Sequence, residues 1–118
     1  MLEDALTTSD NDVVNKWLDH LDELQPADGR LTKGVLAAAG RFPVDRPPGD
    51  AYDNRKDAEK SYQYHRGTVA RVYAREMATF RATMAGAEAA KVDGEAAEEQ
   101  RLKSSYWSQV SEWLKTIV

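Results

Sequence analysis

The chain has 118 residues, 42% of them hydrophobic and 31% charged, a formal net charge of −4 and no cysteine. That length fits one domain with a modest core, and the missing thiols exclude disulfides, thiolate metal sites and a cysteine nucleophile. No apolar run approaches the roughly 18 residues a membrane span needs, and the acidic start Met1-Leu2-Glu3-Asp4 lacks the basic and apolar character of an export signal.

The first helix is predicted over residues 9–25. The polar cluster Thr8-Ser9-Asp10-Asn11-Asp12 supplies residue types that satisfy free backbone N–H groups, and its acids favour the positive end of a helix. Val14, Trp17, Leu18, Leu21 and Leu24 then form an apolar stripe, which Pro26-Ala27-Asp28-Gly29 ends with turn chemistry. A short second helix is predicted over 30–40, closed by Gly40. Residues 41–52 contain Pro43, Pro47 and Pro48, which remove backbone donors and push their predecessors to extended geometry. This stretch reads as an ordered loop or arm, with Phe42 and Val44 as its anchors.

A long third helix is predicted over 53–85. Ala58, Tyr62, His65, Val69, Tyr73, Met77, Phe80 and Met84 recur along it at steps of three or four and read as its packing seam. Such a helix is about 48 Å long, whereas a compact chain of this size is only about 30 Å across. The rod therefore protrudes, or breaks near Gly67 or Gly86. After Val92-Asp93-Gly94 a final helix is predicted over 95–117, with Leu102, Tyr106, Val110, Trp113, Leu114 and Ile117 on one apolar face. No segment alternates with the two-residue period of a strand. The expected fold is all-α, a small helical bundle with one long central helix, a short helix and an extended proline-containing loop.

Nothing in the chain assembles recognisable chemistry. The only histidines, His20 and His65, lack a second ligand at helical spacing. The acidic pairs fall on expected caps and polar faces, and no phosphate-binding glycine loop or nucleophile elbow occurs. The expectation is a protein without catalytic activity, cofactor or metal.

The charge is unevenly spread. Residues 1–54 carry 11 acids and 5 bases, residues 55–85 carry 3 acids and 7 bases, and the rest carry 6 acids and 4 bases. An acidic front and a basic middle can pair within the fold or between subunits. Arg71 and Arg75 share one face of the long helix, Arg81 lies six residues on, and Tyr62, Tyr64 and Tyr73 are interleaved. A basic helix with aromatics can also track phosphates, which leaves nucleic-acid binding as a minor alternative. Trp17 and Trp113 fall on apolar stripes and read as core. Trp107 is offset from its stripe and reads as an interface anchor, a role in which tryptophan is enriched. The candidate contact residues are Trp107, Arg71, Arg75, Arg81, Phe42 and Val44.

The closing stretch Val92-Asp93-Gly94-Glu95, then Gln100-Arg101, Tyr106-Trp107 and Leu114, resembles the end of some tailed-phage head–tail connector (adaptor) proteins. The resemblance is confined to the last third of the chain. It implies a helical virion subunit, assembled in the host cytoplasm, that packs beside copies of itself in a ring under the portal and meets portal, stopper or tail proteins. A ring subunit needs two different complementary faces, which the acidic front and basic middle would supply. The same features suit a small partner-binding regulatory or inhibitor protein in the cytoplasm.

Overall fold

The structure, a computed structural model, describes residues 10–47 and 58–117, and among these it is helical without a strand. Four helices follow in order: α1 Asp10–Glu23, α2 Lys33–Ala39, α3 Ala58–Ala89 and α4 Gly94–Ile117. The outer part of the predicted arm, 48–52, the predicted start of the long helix at 53–57 and the predicted first residue of α1 lie outside the described residues. α3 runs unbroken through both Gly67 and Gly86, so the rod protrudes, and the molecule measures 59 × 33 × 23 Å.

α3 and α4 form an antiparallel hairpin. Its register is marked by Ser104 Oγ donating to the Ala82 carbonyl at 2.8 Å and by the Thr79 and Ser111 hydroxyls 2.8 Å apart. A side chain of one helix reaches the backbone of the other only when the two lie close. The sequence permits this through a ladder of small residues on α3: Ala70, Ala74, Ala78, Ala82, Ala85 and Ala89 are all buried. Opposite them α4 supplies bulk, with Tyr106, Trp107, Val110 and Leu114 fully enclosed. Each such side chain contributes about 1.5–3 kcal/mol by leaving water.

This corrects the predicted seam. The buried face of α3 is the alanine ladder, while Tyr62, Val69, Phe80 and Met84 lie more than half exposed and His65 is exposed. Among the described residues of that seam, Tyr73 and Met77 alone pack, in part, against the core. Both stripes have helical period. Close packing of α3 on α4 selects the small one, because the large side chains of α4 already fill the space between the axes.

α1 lies along α3 in the same direction, tied by Asp10 to Arg66, Asn15 to Tyr73 and Asp19 to Arg81. It lays Val14, Trp17, Leu18 and Leu21 into the core, as its stripe requires. Its last turn is held by the Tyr106 hydroxyl, which donates to the Leu21 carbonyl at 2.6 Å. Burial, reinforced by the nearby Asp22 carboxylate, pushes the Tyr106 phenol from 10.0 up to about 12. A pKa raised on folding gives stability that is full below the ordinary value and is lost as pH climbs to the folded one. Between pH 10 and 12 the fold should lose about 2–3 kcal/mol from this group. Tyr106→Phe should flatten that alkaline limb in pH-dependent urea unfolding. At neutral pH it should cost about 1–3 kcal/mol, because the Leu21 carbonyl loses this donor.

α2 is a single short helix. Thr32 caps it by accepting from the Val35 N–H, and Gly40, with φ +83°, closes it where the sequence predicts. The turn before it is fixed by Gln109 of α4, whose amide donates to the Gly29 carbonyl and accepts from the Leu31 N–H. The proline-containing loop folds back onto α3. Phe42 and Val44 are buried, and a Cβ at Gly67 would fall 2.6 Å from both the Asp45 carbonyl oxygen and the Arg46 Cβ. Gly67, which costs helix stability, is thus the place where loop backbone crosses the helix.

Candidate interaction surface

None of the residues predicted as contacts is fully exposed in the structure: Trp107, Phe42 and Val44 are buried and Arg71, Arg75 and Arg81 half-buried. Trp107 is fully enclosed, so it is a core residue of the folded chain and not an exposed anchor. Its ring meets Tyr106 edge-on with centroids 5.5 Å apart, and the Arg81 guanidinium lies 4.9 Å from its centroid on the outside. The expected contrast between the tryptophans is therefore reversed: Trp113 is only half-buried, tilted against Trp17 at 6.2 Å. The helical wheel misplaces Trp107 because α4 is covered on two sides, by α3 and by α1, so its buried arc is wider than one stripe.

Phe42 and Val44 are likewise interior. Phe42 packs edge-on against Trp17 at 5.3 Å, and Arg71 lies 4.7 Å over its ring. Arg71 also donates to the carbonyls of Val44 and Gly67. Burial, with Arg46 nearby, holds its guanidinium below the ordinary value. Arg46 continues the same lock by donating to the Ile117 carbonyl at 2.8 Å. These groups fasten the loop to α3 and α4 and are not a docking surface.

The charge asymmetry is also used inside the fold. Arg66 clasps Asp10 with two bonds of 2.6 and 2.7 Å, and these bonds hold the Asp10 carboxyl below the usual carboxylate range. Arg81 pairs with Asp19 at 2.7 Å. Both pairs are partly exposed, so each contributes at most about 1 kcal/mol, but together they set α1 along α3. Arg66 and Arg81 thus pair with acids of α1, Arg71 with backbone carbonyls, and Arg75 is half-buried. Among the described residues no three histidine or acidic side chains come together to hold a metal, and no helix is long and apolar enough to cross a membrane.

What remains outward is the edge of α3. Tyr62 is 68% exposed, Val69 53%, Phe80 57% and Met84 54%. The four span about 33 Å of helix on the side away from α4. Four large apolar side chains on one outward face are a candidate contact with another protein. At its C-terminal end Phe80 and Met84 open into a cleft of about 300 Å³ that Asp19, Asp22, Arg81 and Lys103 rim with charge. A second, more apolar groove of about 450 Å³ lies between α2 and α4, over Leu31, Leu36 and Trp113. The sequence carries the α3 edge in plain view, as the stripe assigned to the interior.

No family model matches the chain, and neither a curated protein nor a solved structure is significantly similar to it.

Proposed function

We propose that the chain is a non-enzymatic interaction subunit and that the exposed edge of α3 is its working surface. The observation that carries this is the strip of Tyr62, Val69, Phe80 and Met84, four large apolar side chains left in solvent on a helix whose alanines are buried. Close packing on α4 accounts for the buried alanines and leaves four large apolar side chains on one outward face, the kind of surface a protein partner covers.

In its specific form the proposal is a head–tail connector subunit of a tailed phage, placed beside its copies under a portal. The resemblance of the last third of the chain supports it. Tyr106, Trp107 and Leu114 of that stretch are core residues, so the resembling residues are not themselves the contact surface. The acidic front and basic middle meet within the subunit, which leaves the apolar edge as the surface for a neighbour. The test is incorporation of purified chain into portal-bearing particles, comparing wild type with Phe80→Asp. Phe80 is exposed, so the variant should melt within about 0.5 kcal/mol of wild type, while incorporation falls at least tenfold. Normal incorporation of Phe80→Asp removes the α3 edge from the proposal. A wild-type chain that enters no such particle removes the connector role.

A further inference from the structure

The outer face of α3 has an internal pattern that specifies its partner. Glu59, Tyr62, Arg66, Val69, Tyr73, Glu76, Phe80 and Thr83 follow one another at alternating steps of three and four. That spacing keeps one seam of a helix facing a second helix. All of them are exposed except Tyr73, which is half-buried and accepts a hydrogen bond from Asn15 through its hydroxyl.

We infer that the edge of α3 pairs with the same edge of a second copy of this chain, antiparallel, about a two-fold axis level with position 71. This deepens the interaction reading above and rests on it. In that register each seam residue meets a complementary one. Tyr62 meets Phe80 of the other copy, Val69 meets Tyr73, Arg66 meets Glu76 and Glu59 meets Thr83, and every pair occurs twice. The alternatives are worse. A parallel pairing sets Arg66 against Arg66 and Glu76 against Glu76. An antiparallel pairing shifted by one heptad sets either Glu59 against Glu76 or Tyr73 against Glu76. Like charges placed directly opposite select against the parallel pairing and the first shifted register, and the second shifted register leaves Glu76 without its Arg66 partner, so the centred pairing is the one that matches both charges. Arg66 binds Asp10 through Nε and Nη2, and its Nη1 edge points to neither carboxylate oxygen in those bonds, so a second carboxylate can share the guanidinium.

The strip is about 33 Å long and about 10 Å wide, roughly 330 Å² per copy, against the 800 Å² per partner of a standard interface. A contact of that size makes a weak, reversible dimer. A two-fold contact uses the same patch on both copies and closes on itself. It is a state of the free chain, and joining a ring would exchange it for a contact with a different face.

The experiment is sedimentation equilibrium of the full chain from about 1 to 300 µM, with circular dichroism melts beside it. Wild type should pass from monomer to dimer across that range, and Phe80→Asp should stay monomeric with an unchanged melt. Glu76→Arg should weaken the dimer at least tenfold. The register is read by a short bis-maleimide, which has no native thiol to attack. Glu59→Cys chain mixed with Thr83→Cys chain should cross-link, and neither alone should, because like positions lie about 36 Å apart. Wild type that stays monomeric throughout, a dimer indifferent to Phe80→Asp, or cross-linking of either cysteine variant with itself each overturns the pairing. A monomer that still needs Phe80 to enter a particle overturns the self-pairing and leaves the α3 surface standing. Indifference to Phe80→Asp in both assays overturns both.

Discussion

Trp107→Ala should lower the stability of the folded chain by about 3–5 kcal/mol, a fall in melting temperature of roughly 10–20 °C. Trp107 is the largest fully buried side chain and touches three elements: Tyr106 on its own helix, Arg81 of α3, and through the Arg81–Asp19 pair, α1. Truncation leaves a cavity that none of these can fill, because Arg81 would have to lower its charge into it. Part of the cost is offset, since the buried Nε1 of Trp107 has no hydrogen-bond partner, and an unpaired donor is itself destabilising. Trp107→Phe should therefore lose clearly less than Trp107→Ala. Trp113→Ala, at a half-buried position, should also lose less. Urea unfolding of the three variants separates these cases, and a Trp113 cost above that of Trp107 would restore the assignment the helical wheel implies.

Ala74→Leu should be nearly as damaging. Ala74 is fully buried on the face of α3 that meets α4, and in the hairpin register it lies level with Leu114. A leucine there adds three carbons to a fully buried contact between α3 and α4. Overpacking of this kind costs about 1–3 kcal/mol and occasionally more, with the hairpin either bowing apart or sliding. Ala87→Leu, the same change at an exposed position of α3, should move stability by less than about 0.5 kcal/mol. The pair of substitutions tests which side of α3 is interior by thermal melting alone. Equal effects would contradict the alanine ladder.

The all-α class, the order of four helices and the closing Gly40 are all legible in the sequence, because capping chemistry and apolar period act locally. The stripe of α1 is also read correctly: Val14, Trp17, Leu18 and Leu21 are large, they have no competing stripe, and all are buried. On α3 two stripes share the same period, and the rule that large apolar residues go inside chooses the wrong one. What decides is the bulk already present on α4, a tertiary fact that no window within α3 contains. The arginines fail to read for a related reason. Arg71 looks like half of a surface pair with Arg75, but its partners are carbonyls of Val44, from the loop, and of Gly67. Gln109 gives no signal at all, since its two backbone partners come from a turn some eighty residues earlier in the chain.

The central claim is that the exposed edge of α3 is where this protein meets its partner. Hydroxyl-radical footprinting of the chain, free at low concentration and again in its assembled state, tests it most directly. Tyr62, Phe80 and Met84 should react readily when free and be protected on assembly, while Trp107 should be unreactive in both states. Continued reactivity of those three in the assembled state, with protection appearing instead at Leu36 and Trp113 of the α2–α4 groove, would contradict it.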